Sequence, residues 1–274
     1  MTKVAAIQMA SSPNLGANLI EAARLISDAA KSGAQLIVLP ENFALMGLGE
    51  EDKLKVKEQP GSGPMQEFLS EQAQKHSVWL VGGTIPLAAA SSEKIYASCL
   101  VINDLGEQVA RYDKIHLFDV KIEENGESYT ESETLEAGDH IVVVDTPFGK
   151  LGVAICYDLR FPEMFRAMVS EGVEIIAIPS AFTAITGKAH WDTLVRARAI
   201  ENLSYVIAAG QGGYHLGGRE THGDSMVVDM WGNVLDRLYR GSGVVMADID
   251  RVQLKSIRAS FPSLEHRRFK VLSL

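Results

Sequence analysis

Short apolar, β-prone runs alternate along this chain with segments of helical period, and that alternation confines it to layered α/β packing. The spacing predicts a strand over 3–9 and a helix over 14–31, whose Leu15, Leu19, Ala22, Ala23, Ile26 and Ala29 recur at helical intervals. A short, largely apolar strand follows over 35–39 (QLIVL). Gly33 stops the helix and Pro40 ends the strand, which leaves Glu41 just past its carboxyl end. The next unit begins at Gly61-Ser62-Gly63-Pro64 with a helix running to about 76, followed by a strand over 78–84. Segments 95–103 and 107–113 read as a hairpin across Asp104-Leu105-Gly106. The stretch 119–138 is polar, acidic and aperiodic, a long loop of the kind that tends to carry function.

The second half repeats the alternation. Strands are expected over 141–145, 151–156, 174–178, 205–209, 225–229 and 244–248. Helices are expected over 162–171, 187–202 and 251–257, with a basic tail (EHRRFK) after them. No linker, low-complexity tract or solenoid repeat interrupts the chain, so 1–274 reads as one domain. Two such halves allow two sheets packed face to face with helices outside.

Composition narrows the function classes. With 46% hydrophobic and 22% charged residues, a core can form without a disulfide or metal staple. A net charge of −9 repels phosphate backbones, so no nucleic-acid partner is expected. The only cysteines, Cys99 and Cys156, lie in apolar, strand-like surroundings, which points to a reducing compartment. The first residues run straight into a strand without a signal-peptide pattern. No apolar run approaches the ~20 residues that span a bilayer. A cytoplasmic protein with no membrane partner is therefore expected.

Cys156 ends the run LGVAIC and precedes YDLRFPE, so a strand stops at a thiol just before a helix, as in a nucleophile elbow. Backbone N–H groups and a nearby helix N-terminus would favour the thiolate and draw its pKa below the usual ~8.5. The competing assignment is a small buried hydrophobe, and for Cys99, mid-strand in YASCLVI, that is the better one. Glu41, where a buried strand meets a proline, suits a general base in a cleft or a solvated loop edge. Lys114, after QVARYD, suits oxyanion stabilisation or a surface charge. The histidines are scattered, and neither H-E-x-x-H nor C-x-x-C spacing occurs, so no metal site is expected. The Gly-rich segment Gly210-Gln211-Gly212-Gly213-Tyr214 fits no phosphate-binding pattern and reads as a flexible or tightly packed turn.

Three of these segments, LPENF, YDKIHLFD and ICYDLRFPE, occur in one order, and with them the sequence resembles the nitrilase, or carbon–nitrogen hydrolase, superfamily. The likeness runs from VAAIQMASSPN through DSMVVDMWGNV. It implies a four-layer α-β-β-α sandwich, paired as a homodimer through its outer helices, that needs no metal or organic cofactor. It further implies Cys156 as nucleophile, Glu41 as general base and Lys114 as oxyanion stabiliser. Glu131, in YTESETLEAG, aligns as a supporting carboxylate, and the Tyr157 backbone N–H as the second oxyanion donor. The segments FPEMFR and IPSAFTAITGKAHWDTLVRARAIENLSYVIAA are similar to Nit-type amidases, which implies hydrolysis of a small anionic carboxamide through a thioester. Arg160 is then the candidate for a substrate carboxylate, with Phe182 and Thr183 lining the pocket; a salt bridge to Asp158 or Glu163 is the alternative for Arg160. Two rival functions stand beside this one: a Cys–His hydrolase using His116, His190 or His222, and an idle binding module on the same sandwich.

Overall fold

The segment TKVAAIQ can serve the middle of a sheet because its apolar residues face both ways, and in the computed structural model it does. The structure describes residues 1–90, 93–122 and 126–269. In chain order the first half supplies β1 (Thr2–Gln8), α1 (Leu15–Lys31), β2 (Leu36–Val38), α2 (Asp52–Lys55) and α3 (Pro64–His76). It continues with β3 (Trp79–Val81), β4 (Ile85–Ala88), β5 (Ile95–Ile102) and β6 (Gln108–Asp113). A hairpin of β7 (Asp119–Ile122) and β8 (Glu127–Thr130) precedes β9 (Val142–Thr146), β10 (Gly149–Val153), α4 (Pro162–Ser170) and β11 (Ile175–Ser180). Then come α5 (Ala184–Asn202), β12 (Tyr205–Gly210), β13 (Gly212–Tyr214), β14 (Glu220–His222) and β15 (Ser225–Val228). The series ends with β16 (Val234–Leu238), β17 (Gly243–Ile249) and α6 (Arg251–Ser260).

One sheet has the order β17-β1-β2-β3-β5-β4, with β6 also on β5; the other has the order β16-β15-β12-β11-β10-β9. Alternation along β1 and β2 sorts the layers. Val4, Ala6, Leu36 and Val38 share one apolar cluster with Val153, Ile176 and Val227 of the second sheet. Their neighbours Ala5, Ile7 and Ile37 face the other way, onto Leu25 and Ile26 of α1 and Leu69 of α3. Phe165 and Met168 of α4 and Trp191, Val195 and Ala199 of α5 cover the second sheet. The result is the expected α-β-β-α sandwich. Local signals set the helix starts: the Asn14 side chain caps α1 by accepting from Ala17 N (3.0 Å), and Thr183 caps α5.

Several expectations need correction. The stretch 119–138 is not all loop: β7 and β8 pair within it, and a 3-10 turn, Glu131–Glu133, follows. The hairpin is mostly solvent-facing, so no apolar run announced it. The strand expected over 151–156 stops at Val153, and Cys156 lies beyond it. The Gly-rich segment is no flexible loop. Gly212 lies so close to Gln8 that a Cβ would come within 2.7 Å of that side chain, which is the tightly packed alternative. Strand β4 escaped notice because it contains Pro86, tolerated here at the edge of the sheet.

Gly83, between β3 and β4, has φ +58°, and a Cβ there would lie 2.2 Å from Pro40 O, in the turn that carries Glu41. Gly83→Ala is expected to destabilise the fold by roughly 2 kcal/mol or more, through left-handed strain and the backbone clash together. Urea unfolding monitored by circular dichroism checks this, and an unshifted midpoint would refute it.

Candidate active site

The turns that carry Glu41, Lys114 and Cys156 are each fixed by bonds to a different part of the chain. After β2, Pro40 ends the strand and Asn42 adopts φ +56°, its N–H donating to Thr84 Oγ1 (2.8 Å). Gln211, from between β12 and β13, donates its Nε2 to Glu41 O (3.0 Å) and accepts from Ser11 N (3.0 Å). Lys114 follows β6 directly; its N–H donates to Ala97 O and its carbonyl accepts from Gly138 N. Cys156 opens a 3-10 turn, Cys156–Arg160, in the left-handed region at φ +48°. A non-glycine residue there stores about 1 kcal/mol or more of strain, which surrounding contacts must hold.

Asp158 provides much of that hold. Its buried carboxylate accepts from Ile155 N (2.7 Å), Tyr112 Oη (2.7 Å) and His116 N (3.2 Å), with His116 Nδ1 at 2.7 Å. Ile155 precedes the thiol, and Tyr112 and His116 flank Lys114. One carboxylate thus ties the nucleophile's turn to the segment bearing the ammonium.

Lys114 is 1% exposed, and its Nζ donates to Glu41 Oε1 (2.9 Å) and to both oxygens of Glu131 (3.0 and 2.8 Å). Burial works against its charge, but Glu131, Glu41 and Cys156 raise its pKa well above the usual lysine value. Glu131 also accepts from Phe118 N (2.8 Å). Burial opposes its ionisation, yet Lys114, then Lys53, outweigh that and hold its pKa below the ordinary carboxylate range. The thiol departs from expectation. Burial, then the Glu41 carboxylate, push the Cys156 pKa well above its ordinary value, against Lys114 and an N–H from Ala181. The resting nucleophile is therefore a thiol with a carboxylate beside it, not a preformed thiolate.

Glu41, Glu131, Cys156, Tyr157, Arg160, Phe182 and Thr183 line one cavity, together with Phe118, Ala181, Thr186 and Arg219. Lys114 stands behind it, between the two carboxylates. All eight residues singled out in the sequence therefore converge. Arg160 pairs with neither Asp158 nor Glu163 among the described residues. It lies over the rings of Phe182 (5.3 Å) and Tyr157 (5.9 Å), with Nη1 3.2 Å from His190 Nδ1. Among the described residues no histidine lines the cavity: His116 stacks on Phe161 and His222 lies 3.8 Å from Asp224. The Cys–His alternative has no geometry to support it. Sequence reasoning missed Gln211 and Arg219 and the clamping role of Asp158. Only Asp158, a short acidic side chain three residues after Ile155 at a strand-to-turn junction, carried a local signal.

Comparison with known proteins defines the class. Residues 3–259 match the model of the carbon–nitrogen hydrolase family, and the chain belongs to that family. A protein of Synechocystis sp. named deaminated glutathione amidase is 43% identical over 97% of this chain and 97% of its own length. One of the same name from Yersinia enterocolitica is 42% identical over 97% of this chain and 93% of its own length. The crystal structure of Saccharomyces cerevisiae Nit3, a nitrilase superfamily member, superposes with a TM-score of 0.87. It is 34% identical and covers 98% of this chain and 97% of its own.

Two outcomes follow from the charges. Glu131, held low in the folded state, contributes stability above the ordinary carboxylate pKa, and this is lost as pH falls through its folded value. Lys114→Met leaves buried carboxylates unpaired, at roughly 3–5 kcal/mol. The variant lacks the largest influence holding the Glu131 pKa down, so it should lose less stability than the native protein as pH falls below the ordinary carboxylate value. Chemical unfolding followed from about pH 7 down to about pH 3, through the ordinary carboxylate value, tests this, and parallel slopes would sink it. Iodoacetamide alkylation of Cys156 should keep accelerating as pH rises past about 8.5, the ordinary thiol value. A rate that is already level at acidic pH would indicate a preformed thiolate instead.

Proposed function

We propose that the protein is a thiol amidase acting on deaminated glutathione, with Cys156, Glu41 and Lys114 as its catalytic residues. The observation that carries this is the junction of Cys156 and Glu41 in one cavity with Lys114 directly behind. The substrate is suggested by the name that full-length relatives share. An anionic substrate also suits Arg160, whose stacked guanidinium has no carboxylate partner among the described residues.

The chemistry follows from the resting protonation state. Glu41 takes the thiol proton as Cys156 Sγ bonds to the amide carbon, so no isolated thiolate need form in the buried site. The carbonyl π electrons move onto oxygen, where Lys114 Nζ and the Tyr157 backbone N–H stabilise the oxyanion. Collapse breaks the C–N bond as Glu41 returns the proton to nitrogen. An amine leaves, cysteinylglycine from deaminated glutathione or ammonia from a primary carboxamide, and a thioester remains. Glu41 then deprotonates water for attack on the thioester. The acid departs, and the proton returns to sulfur. Glu131 acts through Lys114, fixing the ammonium with both carboxylate oxygens. Phe182 and Thr183 shape the acyl side of the pocket.

In the same proposal the chain works in the cytoplasm as a homodimer. The exposed apolar side chains Ile200, Trp231 and Phe261 favour association, and among the described residues no helix is long and apolar enough to cross a membrane. Analytical ultracentrifugation tests the pairing.

The deciding experiment follows α-ketoglutarate release from deaminated glutathione, alongside α-ketoglutaramate, N-carbamoyl amino acids and simple nitriles. Cys156→Ala should abolish turnover, and Glu41→Gln should lower kcat by about 10²- to 10⁴-fold. Turnover of carbamoyl compounds alone would overturn the substrate assignment and leave the thiol mechanism standing. Full activity in Glu41→Gln would remove the base assignment.

A further inference from the structure

No sequence pattern marked Arg219, yet it lines the cavity beside Cys156 and Arg160. It follows an exposed turn at 216–218, and its backbone is fixed on both sides. His215 N donates to Arg219 O (2.9 Å), while three residues on, His222 N donates to Phe182 O (2.9 Å). The guanidinium lies 5.1 Å over the ring of Tyr129, on β8. Its ion-pair contact among the described residues is Glu50 at 4.0 Å, and Glu50 is already held by Lys53 at 2.7 Å. Arg219 Nε is buried with no hydrogen-bond partner among the described residues. A buried donor left unanswered on a charged group is unfavourable until an acceptor arrives.

Lys114 absorbs both carboxylates of the site, Glu41 and Glu131. The cavity wall is left with two guanidiniums, those of Arg160 and Arg219, that lack a close carboxylate partner. Arg160 belongs to the nucleophile's own 3-10 turn and stacks on Phe182, close to where an acyl group bonded to sulfur remains. Arg219 lines the same cavity next to the exposed turn, and a departing amine must leave toward solvent.

We propose that Arg219 binds a second carboxylate of the substrate, carried at the far end of the leaving amine, while Arg160 holds the carboxylate of the acyl half. Recognition is then of a dianion with one carboxylate on each side of the scissile amide. Planar guanidinium forks suit such paired carboxylates, and two of them fix the amide between as a single bound group could not. This rests on the amidase reading above and deepens it, since deaminated glutathione carries its glycine carboxylate in that position.

The test compares deaminated glutathione with its glycine-carboxamide derivative, which lacks only that carboxylate, in the native protein, Arg219→Gln and Arg219→Lys. Arg219→Gln should raise KM for deaminated glutathione about 10- to 100-fold, with kcat held within about threefold. Its KM for the carboxamide derivative should match the native protein's, and Arg219→Lys should recover part of the loss. Equal losses on both substrates, or none on either, overturn the inference. Failure of the native protein to cleave deaminated glutathione overturns the substrate reading as well, and that failure appears before any variant is made.

Discussion

Everything in the active site is arranged around one buried ammonium. Lys114 is sealed from water, and a lone charge there would be too costly to keep; two carboxylates within 3.0 Å make it tenable. The dependence is mutual, because Glu41 and Glu131 could not both be buried without it. The three side chains come from positions 41, 114 and 131, so this charge cluster also pins distant loops together. It does so without using up the catalytic capacity of Glu41, which is shared between the ammonium and the thiol.

The same economy governs the nucleophile. Cys156 is held in a left-handed conformation at the start of a 3-10 turn, with Asn42 in a similar conformation beside Glu41. Neither conformation is intrinsically favoured. Each persists because polar groups with no direct part in bond making hold it: Asp158 spans the thiol's turn and the flanks of Lys114, while Thr84 and Gln211 grip the Glu41 turn. The raised thiol pKa completes the logic. Burial makes a free thiolate unfavourable, so proton removal is coupled to attack, and a sulfur that stays protonated is a weaker nucleophile between turnovers.

Much of this was legible in the sequence. Where helical periodicity or a turn signal spoke, as in α1 or the hairpin across Asp104-Leu105-Gly106, the elements formed where expected. Glu41, Lys114 and Cys156 each stand at or just past a strand and are weakly marked one by one; the order of LPENF, YDKIHLFD and ICYDLRFPE made them readable together. Three kinds of feature were not. The β7–β8 hairpin carries no buried stripe for periodicity to register, and the buried edge strand β4 is masked by Pro86. The upward shift of the thiol depends on how deeply Cys156 is buried and how close Glu41 lies, which no local string encodes. Gln211 and Arg219 come from a glycine-rich stretch, and only long-range packing brings them to residues 170 or more positions away or into the cavity.

The pairing of β1 with β17 has a consequence for how this catalyst comes into being. Thr2 lies opposite Ile249, so the first sheet stays open along one side until almost the whole polypeptide is available to close it. Contacts so remote in sequence form late, after most of the entropy of a long loop has been lost. Gln211, which steadies Glu41, belongs to the same late-arriving portion. A truncated or half-folded chain would thus have its sulfur but no steadied base beside it, and competence would switch on with completion of the fold.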